Sequence, residues 1–288
     1  LRLSRADRPI GTWLLLIPCL WAIALAAGST GGFTTWDIWL AISCGIGAFL
    51  MRGAGCTWND ITDRHFDAAV ARTKSRPLPS GQVSVRQAVI WMGFQAGLAA
   101  LILFSYNRLA IALGIASLGL VAIYPFAKRF TWWPQAFLGL AFNWGAVLLW
   151  AAHGGTVGIP ALLLYASGIT WTLFYDTIYA HQDKEDDALI GVKSTARLFD
   201  DRSHPWLAGF LAMTVILQSA AVIIALLPTG EPLALILGMV GVWGFGWHML
   251  GQIRRLDIND PANCLRTFRS NRNAGLIPAL FLAAAALV

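Results

Sequence analysis

Two short segments of this chain hold more than half of its carboxylates. Of the 15 acidic residues, eight fall in positions 60–67 or 176–187: Asp60, Asp63, Asp67, Asp176, Asp183, Glu185, Asp186 and Asp187. In the first segment Asn59, Asp63 and Asp67 recur at every fourth position, so they lie on one face of a helix. Uncompensated carboxylates on one helix face repel each other. The first segment therefore predicts a bound cation.

The second segment repeats this pattern. Tyr175, Tyr179, Asp183 and Asp187 also recur at every fourth position, and this stripe again ends in two carboxylates. Oxygen ligands without Cys or His favour Mg²⁺ or Ca²⁺ over a transition metal. Mg²⁺ is usually held by one or two carboxylates and shares phosphate oxygens of a substrate. The two stripes together predict a magnesium site that takes a phosphate-bearing ligand.

Cations lie beside both acidic segments and suit the same phosphate. They are Arg64, Arg72, Lys74, Arg76, Lys128, Arg129 and Lys193. The alternative is that these segments are solvated interfacial loops, since a single D-x-x-x-D spacing often arises by chance. Two such stripes, each closing an apolar segment and each followed by cations, favour the functional interpretation.

The elements that must position these stripes are transmembrane helices. Hydrophobic residues make up 57% of the 288 residues and charged residues only 12%, whereas soluble domains carry about 25% charged residues. A spanning helix needs about 20 mostly apolar residues. Segments of this kind are found at about residues 10–28, 37–57, 87–105, 108–127, 133–152, 160–182, 205–227, 232–252 and 274–288. We therefore expect a single all-α, multi-pass membrane domain over residues 1–288, with nine transmembrane helices.

The first of these spans has an alternative interpretation. Its preceding arginines, its apolar run and the "ALA" at 24–26 resemble a signal peptide with a cleavage site. The run is long for that role, and the rest of the chain is itself multi-spanning. We therefore expect a first transmembrane helix.

The cations predict the orientation of the chain in the membrane. If the N-terminus is cytoplasmic and the chain changes side at every span, all Lys and Arg residues except Arg108 fall on the inner side. Such a bias is typical of cytoplasmic loops and supports the number of spans. Cations clustered beside apolar segments also disfavour nucleic acid as a partner. The four cysteines form no C-x-x-C pair, so we expect neither a disulfide framework nor a zinc site.

The same segments carry a family resemblance. This chain contains "NDITDRHFDAAVARTKSRPLPSG" and "YDTIYAHQDKEDDALIGVKSTA". These segments closely resemble the two signature motifs of the UbiA superfamily of intramembrane aromatic prenyltransferases. The match extends to "RADRPIGTWLLLIPCLW" at the start and to "YPFAKRFTWWPQ" at 124–135. The resemblance implies a UbiA-type fold, in which nine transmembrane helices surround a central cavity that opens toward the cytoplasmic side.

The resemblance also implies a ligand set. Asn59, Asp63 and Asp67 match the ligands of the first motif, and Asp183 and Asp187 match those of the second. Together they would hold two Mg²⁺ ions that bind the diphosphate of a polyprenyl donor, and the four aspartates would be essential for catalysis. The residues expected to contact the substrates are Asp60, Arg64, Arg72, Lys74, Arg76, Lys128, Arg129, Tyr175, Tyr179 and Lys193.

The resemblance implies the transfer of a polyprenyl group from polyprenyl diphosphate to 4-hydroxybenzoate, a step of ubiquinone biosynthesis. The form "YDTIYAHQDKEDD" of the second motif favours 4-hydroxybenzoate as the acceptor. Homogentisate, dihydroxynaphthoate, chlorophyllide and haem b are other acceptors of the superfamily and stay open. A divalent-cation transporter is a different class of function, but its acids would lie at mid-membrane in broken helices. Membrane lipid should surround the protein, in a bacterial inner membrane or, in a eukaryote, the mitochondrial inner membrane. The active site should lie on the cytoplasmic or matrix side.

Overall fold

The described chain consists of helices joined by turns and short irregular segments, and in this computed structural model it comprises residues 2–69, 73–189 and 191–288. In chain order the helices are α1 (Ile10–Ser29), α2 (Thr35–Ala69), α3 (Val85–Leu103), α4 (Arg108–Ile123), α5 (Ala127–Phe130), α6 (Pro134–Gly154), α7 (Ile159–Ala180), α8 (Lys184–Leu189), α9 (Thr195–Phe199), α10 (Ser203–Leu226), α11 (Pro232–Arg255) and α12 (Pro261–Ala285). Except for the short helices α5, α8 and α9, each has 16 residues or more.

Each predicted span coincides with one of the long helices. Within the described ranges, 7 helical segments are long and apolar enough to cross a membrane. Helices α7 and α12 are not among them, because α7 carries Asp176 among several threonines and the first half of α12 is polar. The all-helical architecture is thus found as expected, whereas nine membrane crossings stay a prediction.

Helix α12 begins well before the apolar run that predicted it. Pro261 occupies its first position, and the side chain of Asp260 accepts a hydrogen bond from the backbone N–H of Ala262 at 2.8 Å. Arg266, Arg269 and Arg272 lie in its first half, so hydropathy alone placed the start of this element too late.

Helix α2 is long enough to carry chemistry outside the apolar layer. Its 35 residues correspond to about 52 Å at 1.5 Å per residue, whereas the hydrocarbon core of a bilayer is about 30 Å thick. The predicted apolar span occupies only residues 37–57 of it. The last three turns, which hold the first acidic stripe, therefore extend beyond the apolar layer.

Helix α1 runs through the centre of the bundle and is buried along most of its length. Its Trp21 contacts Trp171 of α7 and Phe245 of α11, with ring centroids 5.1 and 5.7 Å apart. The indole N–H of Trp21 donates to the backbone carbonyl of Gly275 in α12 at 2.8 Å, which satisfies its polar edge inside an apolar core. This cluster fixes α7, which carries the two tyrosines of the second stripe. The helix ends at Ala180, so the stripe is not one continuous helix: Asp183 closes a 3-10 turn and Asp187 lies in α8.

Gly275 leaves the room that this cluster needs. A Cβ atom there would lie 2.6 Å from Cη2 of Trp171 and 2.9 Å from Cγ2 of Ile17. We expect Gly275→Ala to destabilise the protein by about 1–3 kcal/mol, the usual range for an overpacked core, and to lower the midpoint of thermal unfolding in detergent. The matched control is Gly209→Ala in α10, where the added Cβ would meet nothing within 4 Å. Equal midpoints for the two variants would contradict this account of the packing.

Candidate active site

The two acidic stripes meet in one cavity of about 280 Å³. The first stripe contributes Asn59, Asp63 and Asp67 to its lining, and the second contributes Asp183 and Asp187. These groups lie far apart in the chain. The fold brings them together because α2 and α7 both end at this side of the bundle.

Cations line the same cavity. Lys128 Nζ lies 2.5 Å from Asp63 Oδ2, and Arg76 Nη1 lies 2.6 Å from Asp67 Oδ2. The Asp63 side chain is only 1% exposed, so its charge depends on such a partner. Lys193 also belongs to the lining. The cavity wall therefore compensates the carboxylates of the first stripe.

Short elements hold these cations in place. After α4 the chain makes one 3-10 turn, Tyr124–Phe126, and α5 then presents Lys128. The backbone N–H of Lys193 donates to the carbonyl of Lys128 at 3.1 Å, and Lys193 Nζ donates to the carbonyl of Phe130 at 3.2 Å. The segment after the second stripe and the segment that carries Lys128 thus form one wall.

A second cavity, about 290 Å³ in volume, is apolar and shares Tyr124 with the charged one. Its lining comes from α1, α2, α3, α4 and α6 and includes Met51, Leu103 and Phe142. The hydroxyl of Tyr124 donates to the carbonyl of Gly55 at 3.2 Å. A ligand could therefore bind with a charged head in the first cavity and a long apolar tail in the second, on either side of Tyr124.

Arg52 brings a cation to the apolar cavity. Its guanidinium carbon lies 5.4 Å from the ring centroid of Phe142. Its Nε is buried and donates no hydrogen bond to the described residues. A guanidinium inside an apolar helix with an unused donor is a candidate binding group for an anion.

Comparison with known sequences establishes the family. The family model described as the UbiA prenyltransferase family matches residues 15–283. The chain belongs to this family. It is 50% identical over 279 residues to a Bos taurus protein named 4-hydroxybenzoate polyprenyltransferase, mitochondrial, a match that covers 96% of this chain and 72% of that protein. The Homo sapiens protein of the same name is 48% identical over 281 residues, with the same shares covered.

Solved UbiA structures have the same fold. The apo structure of a UbiA homolog from Aeropyrum pernix K1 matches with a TM-score of 0.72 at 23% identity, covering 95% of this chain and 96% of that one. A UbiA homolog from Archaeoglobus fulgidus bound to GPP and Mg²⁺ matches with a TM-score of 0.72 at 21% identity, covering 100% of both chains. The predicted all-α UbiA fold of a multi-pass membrane prenyltransferase is confirmed.

The oxygen donors of this UbiA chain fit Mg²⁺ that is bound jointly with a phosphate. In the described part of the chain, no three His, Cys, Asp or Glu side chains lie close enough together to share one ion. Asp63 Oδ1 is buried and accepts no hydrogen bond from the described residues. Mg²⁺ needs only one or two carboxylates when waters and phosphate oxygens complete its shell. The arrangement therefore suits a metal that arrives with its substrate.

Several predicted contact residues lie outside the lining of the charged cavity, as far as the chain is described. They are Asp60, Arg64, Lys74, Arg129 and Tyr175. Tyr175 is buried against Trp171, with ring centroids 5.1 Å apart. Arg129 is exposed, and its Nη2 donates to the carbonyl of Thr62 at 2.8 Å and lies 3.5 Å from Asp63 Oδ1.

The other residues of this group have different surroundings. The Asp60 side chain has no exposed surface, and its Oδ1 lies 2.6 Å from Arg5 Nη2 and 3.3 Å from Arg76 Nη1. Arg64 and Lys74 are exposed. Arg72 lies outside the described residues. Tyr179, in contrast, lines the cavity, and its contact with substrate stays a prediction.

Sequence reasoning did not assign roles to Asp176 and Arg52. Asp176 lines the charged cavity together with the second stripe. It stands 7 positions before Asp183 and 11 before Asp187. On a continuous helix these spacings fall on one face, so the sequence pattern alone could have indicated it. Arg52 served only as an orientation marker, although an ionisable residue inside an apolar span is by itself a functional signal.

Proposed function

We propose that this chain transfers a polyprenyl group from polyprenyl diphosphate to the ring of 4-hydroxybenzoate, ortho to its hydroxyl, and releases diphosphate, as a step of ubiquinone biosynthesis. The observation that carries the proposal is a cavity lined by both carboxylates and cations, which lies beside an apolar cavity. The acceptor is supported by the names of the bovine and human relatives, both 4-hydroxybenzoate polyprenyltransferase.

The carboxylate stripes would hold the donor through Mg²⁺. The ligands would be Asn59, Asp63, Asp67, Asp183 and Asp187, which share one cavity. When bound, Mg²⁺ supplies electrostatic neutralisation of the charge that builds on the departing diphosphate. The Archaeoglobus fulgidus homolog was solved with GPP and Mg²⁺, so this fold accommodates both.

Lys128, Arg76 and Lys193 would bind the diphosphate directly. The first two now offset the charges of Asp63 and Asp67. Lys and Arg form strong charge-assisted hydrogen bonds with phosphate oxygens, so each can exchange a carboxylate partner for a phosphate. The same cations then stabilise the leaving group as its charge develops.

The reacting carbon of the donor would lie near Tyr124, where the two cavities meet. Breaking its C–O bond leaves the electron pair on diphosphate and an allylic carbocation behind. The ring carbon ortho to the acceptor hydroxyl adds to this cation, and loss of the ring proton restores aromaticity. The apolar lining excludes water, which would otherwise capture the cation. It also gives the isoprenoid tail an apolar site.

Arg52 would bind the carboxylate of the acceptor. Its guanidinium lines the apolar cavity together with Tyr124 and has an unused Nε donor. A carboxylate at this position would place the attached ring close to the reacting carbon. Homogentisate also carries a carboxylate, so the choice of 4-hydroxybenzoate rests on the relatives rather than on Arg52.

The direct test is turnover by the purified protein in lipid vesicles. With a long-chain polyprenyl diphosphate, 4-hydroxybenzoate and Mg²⁺, we expect a ring-prenylated product, measured by mass spectrometry. EDTA should abolish its formation and excess Mg²⁺ should restore it, because the proposed ligands are all hard oxygen donors. Homogentisate and dihydroxynaphthoate serve as comparison acceptors. Faster turnover with either would overturn the acceptor, and full activity in EDTA would overturn the role of the metal.

The four aspartates of the stripes should be essential. We expect Asp63→Ala, Asp67→Ala, Asp183→Ala and Asp187→Ala each to lower the rate by on the order of 10²–10³, as the loss of one electrostatic contact to a developing charge typically does. The control is Asp257→Ala, an exposed carboxylate between α11 and α12. Product is measured per folded protein. Near wild-type rates for all four variants would contradict their role in catalysis and would mean that these acids are ordinary interfacial residues.

Arg52 should act on the acceptor and not on the donor. We expect Arg52→Gln to raise the KM for 4-hydroxybenzoate about 10- to 100-fold, the loss expected for a hydrogen bond to a charged group, and to leave the KM for polyprenyl diphosphate unchanged. Arg86→Gln, an exposed cation on α3, is the matched control. An equal rise in both KM values would contradict the proposal that Arg52 binds the acceptor.

A further inference from the structure

The first residues of the chain pack onto the loop that follows α2. Residues 2–9, called the N-terminal segment below, precede α1, and residues 73–83 form the loop. Leu3 is buried and packs with Leu78 of this loop and with Ala88 of α3. This small apolar cluster is separate from the main core. It fixes the N-terminal segment beside the charged cavity.

Hydrogen bonds tie the N-terminal segment to α3. Ser4 is buried, accepts from the indole N–H of Trp91 at 2.7 Å and donates to Gln95 Oε1 at 3.3 Å. The next residue, Arg5, has a φ of 55°, a left-handed conformation that is costly for a residue with a side chain. The surrounding contacts hold this backbone, and the Arg5 side chain reaches α2.

Arg5 ends a partly buried row of alternating charges. Its Nη2 lies 2.6 Å from Asp60 Oδ1, and Arg76 Nη1 lies 3.3 Å from the same oxygen. Arg76 Nη1 is also 2.6 Å from Asp67 Oδ2, on the wall of the cavity. Asp60 Oδ2 is buried and accepts no hydrogen bond from the described residues. The charge of Asp60 therefore depends on the two arginines.

We propose that Arg5 is a positioning residue for binding of the diphosphate, an inference that rests on the proposed function. By compensating part of the charge on Asp60, Arg5 leaves Arg76 shared between Asp60 and Asp67 at the cavity wall. Without Arg5, Asp60 attracts Arg76 alone, and Arg76 moves toward Asp60 and away from the cavity. In this proposal Asp60 affects donor binding only through Arg5 and Arg76 and does not contact the substrate.

Kinetics with matched variants test this role. Arg5→Ala should raise the KM for polyprenyl diphosphate about 10-fold, a coupling typical of residues in one ionic network, with a smaller change in kcat and none in the KM for 4-hydroxybenzoate. Arg5→Lys should restore most of the binding. Arg8→Ala is the control in the same segment, because Arg8 is 63% exposed and pairs with its neighbour Asp7. An unchanged donor KM in Arg5→Ala overturns the proposal.

A double variant tests the path through Asp60. If Arg5 acts through Asp60, combining Arg5→Ala with Asp60→Asn should weaken donor binding no further than Asp60→Asn alone. Fully additive effects would mean that Arg5 contacts the substrate itself, and this would overturn the proposal.

Trypsin cleavage gives a readout that does not depend on turnover. Lys74 is exposed in the loop that Arg76 anchors. Arg5→Ala should therefore accelerate cleavage after Lys74, detected by mass spectrometry, whereas Arg8→Ala should not, because cleavage follows local opening of the backbone. If the wild-type protein does not prenylate 4-hydroxybenzoate, the proposed function fails, but the cleavage test still decides whether Arg5 holds Arg76 and its loop in place.

Equal cleavage rates in all variants would overturn this positioning role of Arg5. If Arg5→Ala does not fold, Arg5→Gln replaces it in both tests.

Discussion

A buried carboxylate is stable at the end of an apolar bundle only when a cation lies beside it. Helix α2 carries three such groups out of the apolar layer, Asp60, Asp63 and Asp67. Three separate parts of the chain supply their partners: Arg5 from the N-terminal segment, Arg76 from the loop after α2, and Lys128 from α5. Each pairing fixes one of these parts against α2, so the need for charge compensation determines the shape of the cavity.

The same pairing of carboxylates with cations suits the proposed chemistry. A diphosphate that arrives with Mg²⁺ brings both signs of charge into the cavity. The carboxylates can then turn from Lys128 and Arg76 to the metal, while these cations turn to phosphate oxygens. No buried charge loses its partner in this exchange. A cavity lined by carboxylates alone would repel the donor, and one lined by cations alone would retain the diphosphate product.

Spacing along a helix was sufficient to predict that Asn59, Asp63 and Asp67 share a cavity, because every fourth position falls on one face of the continuous helix α2. It was not sufficient for the second stripe, because α7 ends at Ala180, and among the described residues the cavity is lined by Asp176 but not by Tyr175. The partners of these acids were not predictable in this way. Arg5 lies 55 positions from Asp60, and their contact depends on the packing of Leu3 against Leu78. The sequence therefore grouped Asp60 with the substrate contacts, although the fold buries it behind the cavity wall. For Arg52 the sequence showed only that the residue lies in an apolar span. That its Nε lacks a hydrogen-bond acceptor in the described part of the chain and that it lines a cavity follow from the fold.

Helix α1 links the two halves of the proposed site. At its N-terminal end the chain continues into the segment that holds Arg5 against Asp60. In its first turn Gly11 leaves room for the guanidinium of Arg52, since a Cβ atom there would lie 2.7 Å from Cζ of Arg52. The position of α1 thus sets both the position of Arg5, which shares Asp60 with Arg76 on the donor side, and the space for Arg52 on the acceptor side. Because the tryptophan cluster around Trp21 fixes α1 within the bundle, a shift of this one helix would change donor and acceptor binding together.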